Sequence, residues 1–139
     1  MPRVPRIKAS ALCALVFAAL AATEIRAEDI VVIVNPAAKA ISKDQIADLY
    51  LGRSGGLTPI DQTAGSAIYA QFYKQATGRD VAQVKAIWSR ILFTGRGLPP
   101  KQLPDSAAVK QAIAANPNAV GYIEKSAVDA SVKVVLPLD

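Results

Sequence analysis

Five consecutive apolar, β-branched residues, Ile30-Val31-Val32-Ile33-Val34, stand between Asp29 and Asn35-Pro36. A strand built from such a run has no polar alternate positions, so neither of its faces can be given to water. The chain is thereby committed to a sheet covered on both sides, and the rest of the sequence has to supply the cover.

Helical signals do alternate with further strand signals. Ser42 followed by Gln45 reads as a capping box, with Ile46, Leu49 and Tyr50 on one face and Gly52 as the stop. Arg53 to Gly56 reads as a turn, and Leu57 to Asp61 as a short strand. A helix is expected from Ser66 to Ala76, closed by Gly78, and a second one capped by Asp80, whose Val81, Val84, Trp88, Ile91 and Leu92 recur at three- and four-residue steps as a core-facing stripe. Thr94 to Pro104 is rich in Gly and Pro and reads as irregular. Asp105 or Ser106 starts another helix, with Val109, Ala112 and Ile113 inward and Asn116-Pro117 at its end. Val120 to Ile123 and Val132 to Leu136 are the last strands expected. Strands separated by helices predict an α/β domain with a mostly parallel central sheet flanked by helices. Ligands favour the carboxyl ends of such strands, which is where the Asn35-Pro36 loop and the loop before Ser66 belong if their strands are parallel.

The N-terminus reads differently from all of this. Arg3, Arg6 and Lys8 precede an unbroken apolar run from Ala11 to Ala22, and Ala27 suits a signal peptidase, so residues 1–27 are expected to be a cleaved secretory signal and residues 28–139 the domain. The apolar run is far short of the ~20 residues that a membrane span needs. A periplasmic or secreted location, with no membrane insertion of the mature chain, follows as the expectation. Setting aside Arg3, Arg6, Lys8 and Arg26 against Glu24 lowers the net charge from +5 to about +2. Nucleic acid then loses its electrostatic argument.

Residue types missing from the domain narrow its chemistry. The sequence has no His, and its single Cys, Cys13, lies in the signal segment. Disulfides, Cys or His zinc sites, and thiol or imidazole catalysis have no residues to work with. No serine stands in an S-x-x-K arrangement. The chain is read as a non-enzyme without a cofactor or a metal.

Several segments, taken in order, carry a resemblance. These are VVIVNP (31–36), SKDQIADLYLG (42–52), Gly65-Ser66 through Phe72, WSRILFTGRG (88–97) and NAVGYIE (118–124). Together they resemble the periplasmic phosphate-binding proteins of ABC importers, in the type 2 periplasmic-binding-protein class, and also short secreted proteins labelled phosphate-transport-like. That family binds its anion in a cleft between two lobes, and residues 28–139 have room for one. The resemblance therefore implies a single-lobe periplasmic-binding-protein-like domain. It also implies phosphate or a similar small oxyanion as ligand, and a membrane transporter or a second protein chain as partner. The alternative is a protein-interaction or sensor module that kept the fold and lost the ligand.

The candidate anion residues divide into two groups. The family's phosphate loop resembles R-S-D-G-S-G-T-T; here Gly65 and Ser66 match, whereas its Arg falls on Gln62, its Asp on Ala64 and its Thr pair on Ile68 and Tyr69. Ser66 as an N-cap would leave the amides of Ala67 and Ile68 facing outward at the positive helix end, which suits an anion. The plainer reading is that Ser66 satisfies those amides itself, worth about 1 kcal/mol. Asp61 nearby would repel phosphate unless it accepts a proton from a protonated form. The second group is Thr94-Gly95-Arg96-Gly97, able to offer amides and a guanidinium, with Arg53 where the family places a cleft loop; the plainer reading is solvated loop charge. Trp88, Tyr69 and Tyr73 are expected in the core or lining a groove.

Overall fold

The computed structural model describes residues 29–138. The expected signal segment and its cleavage site near Ala27 lie outside the described residues. Ile30–Val34 is strand β1, buried along its whole length as its composition demands. It is followed by α1 (Lys43–Tyr50), β2 (Thr58–Gln62), α2 (Ala67–Thr77), α3 (Val81–Phe93), β3 (Lys101–Leu103), α4 (Ser106–Ala115), β4 (Ala119–Glu124), a 3-10 turn (Lys125–Ala127) and β5 (Lys133–Leu138).

The strands form one sheet in the order β3-β2-β4-β1-β5. The α/β class and the flanking helices are as expected, but the pairing is mixed. β2 runs parallel to β3 and β4, whereas β1 runs antiparallel to β4 and β5. The carboxyl ends of β1 and β2 therefore point to opposite ends of the sheet, and the Asn35-Pro36 loop is not beside the loop before Ser66. Pro137 sits in β5, an edge strand, where its missing N–H costs no ladder bond.

β1 separates two apolar layers by its alternation. Ile30, Val32 and Val34 face Ile46, Tyr50, Phe72 and Val84 of the first three helices. Val31 and Ile33 join Ile60, Val109 and Ile113 on the side of α4. Each such side chain taken fully from water contributes about 1.5–3 kcal/mol, so β1 anchors both layers at once. α4 lies directly on β4: a Cβ on Gly121 would come within 2.7 Å of Val109 Cγ1.

Two expectations at element level change. The α3 stripe holds for Val84 and Trp88, which are buried, and for the part-buried Val81 and Ile91, but Leu92 is exposed. Eight residues beyond Val84, it has drifted about 80° around the helix. The Thr94–Pro104 segment is not wholly irregular, because Lys101–Leu103 pairs in parallel with Ile60–Gln62 as an edge strand. Among the described residues, no helix is long and apolar enough to cross a membrane.

Candidate functional site

The carboxyl end of β2 is where the chain reverses its course through the sheet, going outward to β3 and then back across to β4. A crevice between diverging strands at such a switch point is the usual ligand position in an α/β sheet. β2 and β4 pair only at Thr58–Ala119 and Pro59–Val120 and then separate. Side chains of the protein itself fill the gap. Tyr50 Oη lies 2.8 Å from Ile60 O and 3.1 Å from Val120 O, one hydroxyl serving a carbonyl of each strand. Gln62 donates its backbone N–H to Tyr122 Oη and its amide to Tyr122 O and to Ser106 Oγ. Ser106 Oγ in turn donates to Glu124.

Asp61 points to the opposite face from Gln62, as strand alternation requires, and is 2% exposed. Its two carboxylate oxygens accept from Tyr73 Oη at 2.7 Å and Tyr122 Oη at 2.8 Å. Burial pushes its pKa up to about 7, and the two phenol hydrogen bonds oppose that rise without cancelling it. The same burial, with the Asp61 charge alongside, drives Tyr73 and Tyr122 well above their ordinary range. Phe72 stacks on Tyr122 at 3.7 Å and closes the cluster. Trp88 is structural too, since its Nε1 donates to Tyr50 O at 3.0 Å.

Ser66 caps α2. Its hydroxyl accepts from the Tyr69 N–H at 3.3 Å and donates to Thr63 O at 2.6 Å, so both of its capacities are used within the loop. Gly65 belongs to the same turn, with open space on its Cβ side, and Ala67 is the first helical residue. At this end the arrangement is that of a capped helix beside a buried carboxylate.

The second group of candidates divides as well. Thr94 caps the end of α3 and donates its hydroxyl to Ile91 O at 3.0 Å. Beyond it the amide of Gly95 bonds Leu92 O and that of Arg96 bonds Ile91 O. With Gly95 at φ 69°, this is a Schellman closure. The amides expected to face an anion are thus committed to the helix, and Arg96 contributes its guanidinium alone. α1 ends in the same way: Gly52, at φ 74°, bonds Leu49 O, and the Arg53 N–H bonds Asp48 O at 2.7 Å. α2 ends at Gly78, at φ 72°, followed by Arg79. Three helices therefore end in a left-handed glycine and an arginine.

All three arginines line one cavity of about 710 Å³, together with Arg90 from the last turn of α3. Its apolar lining is Leu51, Ala86, Ile87 and Ile91. Basic residues at helix C-termini are the ordinary complement of the dipole. Three helix ends, however, supply only about −1.5 charges between them. Asp48 adds one more, 3.9 Å from Arg53 in an exposed pair that is worth little. Four guanidiniums outweigh that sum and leave the cavity positive. Sequence reasoning names Arg53 and Arg96 as candidates but not Arg79 and Arg90, which line the same cavity. The signal for Arg79 was the dipeptide Gly-Arg at 52–53, 78–79 and 95–96, each at a helix end, whereas Arg90 follows Ser89 and shares no such mark. A further cavity of about 620 Å³ near Ala37, Ala38 and Ile41 holds no comparable set of charges.

No family model matches the sequence, and no curated protein matches it. Solved structures do match in fold. An ABC-type phosphate transport receptor from Vibrio cholerae superposes with a TM-score of 0.57 at 17% identity, over 78% of this chain and 45% of the receptor. A protein described as a phosphate ABC transporter substrate-binding protein, from Clostridium perfringens and with bound phosphate, gives a TM-score of 0.61 at 22% identity, over 78% of this chain and 44% of its own. The chain thus spans less than half the length of the proteins whose fold it shares.

Proposed function

We propose that this protein is an exported, periplasmic-binding-protein-like domain that holds phosphate or a similar small oxyanion weakly, in the arginine-lined cavity rather than at the Ser66 helix end. The observation that carries this is the convergence of Arg53, Arg90 and Arg96 on one cavity, with Asp48 the only carboxylate in ion-pair contact with any of them among the described residues. Guanidinium forks match the oxygens of phosphate and sulfate and stay charged at any working pH. The fold shared with two phosphate-transport proteins supports the same ligand class and a role beside an ABC-type transporter.

The affinity should be low, with a Kd of ~0.1 to 1 mM, since an open cavity leaves its charges hydrated; 1 mM corresponds to about 4 kcal/mol. Added salt should weaken it further. Calorimetric titration with phosphate and with sulfate tests the reading. Arg96→Ala should lower affinity and leave stability alone, whereas Ser66→Ala should remove about 1 kcal/mol of stability and leave affinity alone. Absence of binding to either anion would overturn the proposal.

A second reading, a module that kept the fold for protein contact, is favoured by one specific feature. Phe93 and Leu98 are 94% and 81% exposed, and Leu92 beside them is 47% exposed. Under that reading Phe93→Ser would abolish association with a partner chain while anion titrations stay flat.

A further inference from the structure

The arginines lining the cavity come from both ends of α3 and from the end of α1, and are not gathered at one point. Gln83, Ala86, Ile87 and Arg90 lie along one face of α3, so Gln83 and Arg90 are about 10 Å apart on the helix axis. Arg79 precedes the first turn of α3 and extends the cavity beyond Gln83. Arg53, Arg90 and Arg96 gather toward the other end, where α1 and α3 both terminate. Arg79 and Arg90 are separated by most of the length of α3, about 16 Å along the helix axis. No ion pair or side-chain hydrogen bond to a carboxylate involves Arg79, Arg90 or Arg96 among the described residues, so these three guanidiniums are not neutralised from within the fold.

We infer that the groove along α3 binds an elongated anion that carries several linked phosphate groups, of the linear polyphosphate class, with Arg79 engaging one end and the Arg53, Arg90 and Arg96 cluster the other. This rests on the small-oxyanion reading of the same cavity and extends it. Leu51, Ala86, Ile87 and Ile91 offer no side-chain acceptor that would compete with phosphate oxygens for the guanidiniums, and a chain of phosphates can meet guanidiniums at both ends. Linking two contacts also raises affinity by making the second one intramolecular.

The test is calorimetric titration of the purified protein with inorganic phosphate, pyrophosphate and a linear polyphosphate long enough to span the groove, at fixed ionic strength. Affinity should rise at least tenfold from phosphate to the long chain, with pyrophosphate close to phosphate. Arg79→Ala should remove most of the long-chain gain while weakening phosphate binding far less than Arg96→Ala, which should weaken both. Lys43→Ala, the same loss of charge outside the groove, should change neither. If phosphate binds in an Arg96-dependent way but the long chain gains nothing, or its gain survives Arg79→Ala, the elongated-ligand inference fails and the small-oxyanion reading stands. If none of the three ligands binds, both fail together.

Discussion

Asp61 is the residue whose environment differs most from what its sequence neighbours announce. In Thr58-Pro59-Ile60-Asp61-Gln62 it looks like a polar strand end, yet it is buried under α2 with two phenols donating to it. Its folded pKa of about 7 lies above the unfolded value near 3.9. The native state therefore holds the proton more tightly than the unfolded chain, and the stability this contributes is present below pH 4 and lost as pH rises toward 7. Urea unfolding across that range should show stability falling by up to about 1.4 kcal/mol per pH unit from this group. Asp61→Asn should flatten that part of the profile, and an unchanged profile would remove Asp61 as its cause. At this scale legibility was uneven. Ser66 as a cap could be read because capping is local, whereas the partners of Asp61 come from residues 12 and 61 positions away and leave no local mark.

Elements explain how the arginines come to share a cavity. Each Gly-Arg pair ends a helix, and Gly52 does so under close packing: a Cβ there would fall 2.6 Å from Ile91 Cδ1 and 3.1 Å from Trp88. Gly52→Ala should cost about 1–3 kcal/mol through the left-handed backbone and that clash. It should also displace Arg53, so thermal melts and phosphate titration should both respond. β1 admits a harsher test. Val32→Asp places an unpaired carboxylate in a fully enclosed strand and should abolish folding, visible as loss of the circular dichroism signal. The run from Ile30 to Val34 made β1 legible, and its doubly buried character followed from composition. β3 was not legible, since a three-residue edge strand carries no periodicity of its own and takes its register from β2. Arg79 was passed over because a lone arginine after a helix is ordinary; only the threefold recurrence of Gly-Arg distinguishes it.

At the scale of the whole molecule, the α/β class could be read from alternating elements, but the direction of pairing could not, because no local feature says that β1 lies between β4 and β5. Export is a separate expectation, tested by mass spectrometry of the protein recovered outside the cytoplasm: its first residue should be Glu28, and recovery in the cytoplasm still starting at Met1 would exclude cleavage. The place of β1 bears on how such a chain travels. Among the described strands β1 leaves the ribosome first, and it has no neighbour in the sheet until residues 119–124 and 133–138 arrive. Closing connections of that length is slow compared with forming a local helix or hairpin. In pulse-labelled hydrogen exchange, the amides of residues 30–34 should gain protection only with the last kinetic phase, and a chain ending at Ala127 should leave one side of β1 open. If the chain is exported as expected, β1 would pass a narrow pore before either of its two sheet neighbours, and the sheet would close around it only once residues 119–138 had followed.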